Sequence, residues 1–196
     1  ASWEVVAGPP QRLVTFANPP QLSAGEESEL ECLAYDAYGN QASLSAEELT
    51  WQVSPSSEQT TLTPLEGDPS RALLYATLAG SLSAECSSPS ATELSPAELY
   101  VTPGLPAQLI TGLRGGRDTF FLGEVIELQT SVLDAFDNEI EDASLLTTLT
   151  PNDLSTFGPL RYQATTPGDY HLDVRVSPPT YEDRQLSERL SWRVDD

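Results

Sequence analysis

Few side chains in this sequence are suited to chemistry. The only histidine, His171, lies between Asp169 and Asp173 at alternate positions. With one of the many serines, that group would supply the parts of a proton relay or a Ser-His-Asp hydrolase. No nucleophile elbow and no glycine-rich oxyanion segment accompanies it, so a solvated histidine between acids is the stronger reading and no catalytic residue is assigned. The densest set of hard oxygen ligands is Asp134, Asp137, Asn138, Glu139, Glu141 and Asp142. Calcium takes roughly six to eight such oxygens, but the spacing is not that of an EF-hand loop, which favours a solvated acidic loop over a metal site. Arg114-Gly115-Gly116-Arg117 could cradle an anion, yet it lacks the Gly-Lys-Ser/Thr ending of a phosphate loop. A hairpin turn, or ion pairs from these arginines to the acidic first half, is the simpler expectation. No cofactor site is read.

The elements that must position these groups are strands. Leu30, Cys32 and Ala34 alternate with Glu29, Glu31 and Leu33, and Ile126, Leu128, Thr130 and Val132 alternate with Glu127, Gln129 and Ser131. A period of two with one apolar side describes a sheet with one buried face. The same alternation returns in Gly80 to Cys86 and in Gly168 to Val176, where His171 points away from Leu172. No stretch carries a helical stripe; Ser45 to Leu49 allows one turn at most.

An internal repeat organises these strands. Ser23 to Asn40 aligns with Phe121 to Asn138 at a constant offset of 98, and seven of the 18 positions are identical: Gly25/Gly123, Glu26/Glu124, Glu29/Glu127, Leu30/Leu128, Asp36/Asp134, Ala37/Ala135 and Asn40/Asn138. Upstream, Gly8 to Val14 is similar to Gly104 to Ile110. The expectation is an all-β chain of two tandem immunoglobulin-like β-sandwich domains, 1–102 and 103–196. Ser2 to Val5 (SWEV) echoes Ser191 to Val194 (SWRV) in the last strand, so residues 1–7 read as the tail of a preceding module in a longer array. Within the repeated motif, Asp36 and Asn40 suit a turn that ends a strand, with Gly39 or Asn138 taking positive φ.

Cys32 falls on the inward face of an early strand and Cys86 on that of a late one, with Trp51 between them. Opposed sheets would bring the two together, and an inter-sheet disulfide against a tryptophan is an immunoglobulin pattern. Two buried thiols are the alternative; metal binding by two cysteines and a distant histidine is a weaker one. Thr130 and Val174 hold the equivalent places in the second unit, whose core needs no bridge. Tyr170, after Pro167-Gly168, sits where a tyrosine hydroxyl satisfies nearby backbone in such sandwiches.

These motifs together resemble the bacterial immunoglobulin-like domains of the intimin and invasin type, and more weakly filamin-type repeats. The likeness rests on the strand openings at Leu13 and Leu109, Ala24-Gly25-Glu26 and Leu122-Gly123-Glu124, Asp36 to Asn40 and Asp134 to Asn138, and Pro167 to Tyr170. The disulfide and Asp137, where a glycine is usual, depart from it. The resemblance implies spacer or adhesive modules of surface proteins, with no catalytic residue to carry over.

Composition narrows the partners. Thirty acids stand against nine basic residues, all arginine, for a formal charge of −21. Such a surface repels nucleic acid and anionic lipid. No apolar run reaches the ~20 residues that cross a bilayer, so anchoring is expected elsewhere. The expectation is a non-catalytic module at the cell surface or outside the cell, a rigid stalk or protein-interaction domain. Its partners would be a protein or glycan on another surface and neighbouring domains of its own chain. Accessory domains of a secreted enzyme, or a gamete-type cell-cell adhesion ectodomain, are the alternatives.

Overall fold

A computed structural model of the chain describes residues 6–44, 49–150, 154–156, 158 and 160–196. The SWEV segment and residues 45–48 of the single-turn helix expectation lie outside them. The chain divides into two compact units, Ala1–Pro103 and Gly104–Asp196. Unit 1 contains β1 (Arg12–Asn18), β2 (Gln21–Ser23), β3 (Glu27–Tyr35), β4 (Gln41–Ala42), β5 (Thr50–Ser54), β6 (Thr60–Leu65), β7 (Asp68–Ala76), β8 (Gly80–Ser87), β9 (Glu93–Ser95) and β10 (Ala97–Thr102). Unit 2 contains β11 (Gln108–Leu113), β12 (Thr119–Phe121), β13 (Val125–Leu133), β14 (Leu145–Thr150), β15 (Leu154–Thr156), β16 (Arg161–Ala164), β17 (Gly168–Val176) and β18 (Ser187–Asp195). A short 3-10 turn at Tyr181–Asp183 is the helical element among the described residues.

Each unit is an immunoglobulin-like sandwich of two sheets. In unit 1 the orders are β6-β7-β3-β1-β9, with β4 on β3, and β2-β10-β8-β5. In unit 2 they are β11-β13-β16-β15 and β12-β18-β17-β14. The first strand is split in both. β1 lies in one sheet, antiparallel to β3, while β2 crosses to the other and runs parallel to the last strand, β10. β11 and β12 do the same against β13 and β18. The Arg114-Gly-Gly-Arg117 segment is therefore a crossover between sheets and not a hairpin turn.

The alternation in the sequence places the core. Leu30, Cys32 and Ala34 of β3, with Leu13 of β1 and Ala72 and Leu74 of β7 beside them in the same sheet, face Leu82, Ala84 and Cys86 of β8 across the sandwich, all buried. Cys32 and Cys86 form the disulfide, with Cα atoms 6.0 Å apart. Thr15 seats beside it, accepting the Cys86 N–H at 3.0 Å. Trp51 packs across both core clusters of the unit and donates its indole N–H to the Pro69 carbonyl at 3.0 Å. Unit 2 fills its interior differently: Tyr170 stacks on Trp192 with ring centroids 6.0 Å apart, over Ile126, Leu172, Val174 and Val194. The Tyr170 hydroxyl donates to the Thr166 carbonyl at 2.7 Å, four residues upstream, the backbone-satisfying role its place after Gly168 predicts.

A disulfide stabilises mainly by restricting the unfolded chain, and a separation of 54 residues corresponds to about 4 kcal/mol in the chain-entropy model. Replacing both cysteines with alanine is expected to move the denaturant midpoint of unit 1 down by that order while leaving the transition of unit 2 in place. Coincident midpoints with and without the bridge would contradict this role.

Candidate functional site

Five of the seven identical positions of the repeat fall on two turns per unit, and each turn fastens the chain where it comes in or goes out. At the end of β3, Asp36 is 6% exposed and fully engaged. Its Oδ1 accepts from the backbone N–H groups of Tyr38 at 2.8 Å and Asn40 at 2.9 Å, while Oδ2 accepts from Asn40 Nδ2 at 3.0 Å. The remaining donor comes from far along the chain: Gly8 N–H, in the segment leading into the unit, donates to Oδ2 at 2.9 Å. Unit 2 repeats this atom for atom. Asp134, 3% exposed, accepts from Phe136 N–H at 2.8 Å, Asn138 N–H at 2.9 Å, Asn138 Nδ2 at 2.8 Å and Gly104 N–H at 2.8 Å. A second bond follows in each lead-in, Gln11 N–H to the Tyr35 carbonyl and Ala107 N–H to the Leu133 carbonyl, both 2.8 Å.

Such a carboxylate is bound in its charged form. For Asp36, the Asn40 side chain and then the Gly8 amide hold the carboxyl far below the usual aspartate range, against the opposing effect of burial. For Asp134, burial is the largest influence and pushes the pKa up. The bonds from Asn138, Gly104 and Phe136 outweigh it, so the net direction is again down. The turn itself needs one residue with positive φ, and the structure gives it to Gly39 (φ 82°) and Asp137 (φ 66°), not to Asn138. Asn138 is committed instead, through its backbone N–H and its side chain, to Asp134. Aspartate is among the few residues that tolerate this left-handed conformation, which explains how the repeat survives without the glycine.

The other shared motif shapes the opposite end. Gly25 (φ 88°) and Gly123 (φ 83°) sit third in tight turns that require positive φ. Glu26 and Glu124 fold back to accept from Ser23 N–H and Phe121 N–H, both at 2.9 Å. This turn holds the outgoing strand: Ala24 N–H donates to the Thr102 carbonyl at 2.8 Å, and Leu122 N–H to the Asp195 carbonyl at 3.0 Å. The parallel pairs β2–β10 and β12–β18 continue the seam.

The groups with chemical potential are spent on packing and surface pairing. His171 Nδ1 lies 2.8 Å from Ser191 Oγ, its cross-strand neighbour on an exposed face. Asp173 gives both oxygens to Arg189, at 2.7 and 3.0 Å, which lowers its pKa, and so is not turned to the imidazole. Depressions of about 360 and 320 Å³ open on the surface, and His171 lines neither. In the acidic loop, Asp134 is consumed by its turn and Glu139 is 3.3 Å from Ser131 Oγ. Among the described residues no three His, Cys, Asp or Glu side chains converge on a point that would hold a metal ion. Arg114 pairs with Glu127 at 2.7 Å; Arg117 pairs with Glu124 at 3.2 Å and lies 4.7 Å from the Phe120 ring centre. These ion pairs form inside unit 2.

No family model matches the sequence, and no curated protein is significantly similar to it. Solved structures do match in fold. InvD of Yersinia pseudotuberculosis superimposes with a TM-score of 0.57 at 16% identity, covering 93% of this chain and 56% of that one. The Escherichia coli adhesin FdeC gives a TM-score of 0.50 at 19% identity, covering 94% of this chain and 63% of that one. The D00-D0 region of intimin gives 0.47 at 10% identity over 94% of this chain and all of that one. The chain thus spans less than two thirds of the FdeC and InvD structures and shares with them the tandem immunoglobulin-like fold.

A carboxylate whose folded pKa is depressed contributes stability that is full above its unfolded pKa, about 3.9, and is lost as pH falls through the folded value. The folded values of both Asp36 and Asp134 lie below 3.8. Stability should therefore decline as the medium is acidified below about pH 4. Asp36→Asn with Asp134→Asn should be less stable at neutral pH and should show a flatter acid limb. Parallel acid limbs in urea titrations of the two proteins would show that these carboxylates do not carry the dependence.

Proposed function

We propose that the chain is a non-catalytic spacer and recognition module of an extracellular or cell-surface adhesion protein. The observation that carries this reading is the fastening of each unit at both chain ends. The lead-in is tied by a buried aspartate, and the outgoing strand lies parallel to β2 or β12. Tension applied to the two ends of a unit slides such a parallel pair along its length, so that its hydrogen bonds resist together instead of opening one after another. A catalytic domain has no need of this arrangement, whereas a module that holds an adhesive surface away from a cell does.

The fold shared with InvD and FdeC supports the adhesion half of the reading, as does an acidic surface that keeps the module soluble and off anionic membranes. Recognition on such sandwiches is built from strand faces, edges and loops rather than from a catalytic constellation. His171 serves as a surface residue in this view: His171→Ala is expected to leave folding and any activity of the assembled protein unchanged.

The spacing role has a direct test. Ala24 occupies the second position of the Ser23–Glu26 turn, where proline is well accepted, but its N–H is the donor to the Thr102 carbonyl. Ala24→Pro should lower the force at which unit 1 unfolds when the chain is pulled by its ends in an optical trap or force microscope, while unit 2 unfolds at its original force. An unchanged force for unit 1 would show that the parallel seam does not resist tension and would remove the main support for the spacer reading.

A further inference from the structure

The outward face of the β6-β7-β3-β1-β9 sheet carries side chains that the sandwich itself does not require. Pairing of β1 with β3 sets Val14 opposite Leu33, Phe16 opposite Glu31 and Arg12 opposite Tyr35. Pairing of β3 with β7 sets Glu27 opposite Tyr75, Glu29 opposite Leu73 and Glu31 opposite Arg71. The alternating residues of all three strands point into the core, so these point to solvent. Phe16 is 48% exposed, and Val14, Leu33, Tyr35, Leu73 and Tyr75 are half-buried by one another. The result is a row of three glutamates on β3 with apolar side chains on either side. Arg71 pairs with Glu29, and Arg12 lies 5.2 Å from the Tyr35 ring centre. Glu27 and Glu31 have no ion pair among the described residues.

Unit 2 is an internal control, because the same strands in the same registers present the same positions. Phe16 corresponds to Gly112, Leu33 to Ser131, Leu73 to Arg161 and Tyr75 to Gln163, while Val14 and Tyr35 keep apolar counterparts in Ile110 and Leu133, and Glu27 corresponds to Val125. The central Glu127 is neutralised there by Arg114 and Arg161, at 2.7 and 3.0 Å. The fold evidently tolerates glycine, serine, arginine and glutamine at these sites. Phe16, Leu33, Leu73 and Tyr75 are therefore not demanded by the fold, and neither is the charge left without an ion pair at Glu27 and Glu31.

We infer that this face of unit 1 is a docking surface for a protein whose contact patch carries lysine or arginine set among aliphatic or aromatic side chains. Charge selects that occupant. A second copy would bring its own glutamate row and its net charge of −21 against the first, and nucleic acid is repelled for the same reason. Val14, Leu33 and Leu73 give a sugar nothing to hydrogen-bond. They suit the desolvated centre of a protein interface, where aromatic anchors such as Phe16 and Tyr75 contribute most. Cations arriving over Glu27 and Glu31 would set register and speed encounter. The surface deepens the adhesion half of the proposed function and is independent of the parallel seam, so the pulling experiment and the one below fail separately.

The test is to pan a phage-displayed library of random peptides on the whole chain. The peptides recovered are then measured, as synthetic molecules, against two variants. One carries Leu33→Ser and Tyr75→Gln, the residues unit 2 already accommodates; the other carries Glu27→Lys and Glu31→Lys, which leave the apolar side chains in place and keep the test valid if the first variant folds poorly. The expected peptides combine Lys or Arg with aromatic or aliphatic residues, and each variant weakens their binding on the order of tenfold or more. Peptides that bind both variants as well as the native chain would overturn the proposal. So would a library with no sequence enriched over the substituted chain. Binding to a glycan array that depends on Tyr75 and Leu33 would do so too, by assigning the face to sugar.

Discussion

A buried carboxylate that captures the backbone of an incoming strand is the contact on which the rest of each unit depends. Asp36 and Asp134 sit at the end of the strand that fills the core, and each receives a glycine amide from the segment before the first strand. Removing either carboxylate would leave that amide and the turn donors without their acceptor, and unmade bonds at a buried site cost more than made ones contribute. With the lead-in fixed, the first strand is aligned on its neighbour, its second half is free to cross to the other sheet, and the parallel pairing with the last strand follows. The register of the sandwich is thus set at one turn and propagated outward.

The two units reach the same scaffold with different interiors. Unit 1 has small residues throughout, Ala34 and Ala42 beside the disulfide and Ala72, Ala76 and Ala84 in the adjoining cluster, with Trp51 against both. Unit 2 has no bridge and instead stacks Tyr170 on Trp192 across adjacent strands. Large aromatic surface and a covalent crosslink solve the same problem, since a domain of this size buries limited apolar area. What the repeat keeps constant are the turns and their carboxylates, not the core. The outward face of one sheet also diverges: Phe16, Leu33, Leu73 and Tyr75 of unit 1 stand where unit 2 has Gly112, Ser131, Arg161 and Gln163.

Much of the fold was legible in the sequence because strand alternation is a local signal. Leu30, Cys32, Ala34, Ile126 and Leu128 face inward as their spacing predicts, and the cysteines meet because both lie on inward faces of opposed sheets. The repeat marked Gly25, Glu26, Asp36 and Asn40 as important and read Asp36 and Asn40 correctly as a turn. The partner of each aspartate was not legible, because a glycine amide 28 or 30 residues away carries no side-chain signature. Positive φ was expected at Asn138 and occurs at Asp137, since the turn places it one residue earlier and Asn138 is held by Asp134. The partners of Arg114 and Arg117 within unit 2 were not legible for a related reason: the sequence shows net charge by region, but spatial neighbours are fixed only by the fold. The candidate docking face became visible once pairing placed Phe16, Leu33, Leu73 and Tyr75 on one surface and set them against their counterparts in unit 2.

Hydrogen exchange of individual backbone amides by NMR tests the central contact most directly. The amides of Gly8 and Gly104 lie outside the strands, so their exchange reports on the aspartates that accept them. They are expected to be protected at neutral pH to an extent comparable with the neighbouring strands, and to lose that protection selectively in Asp36→Asn and Asp134→Asn respectively. Exchange of both glycine amides at the rate of an unstructured chain in the native protein would contradict the account.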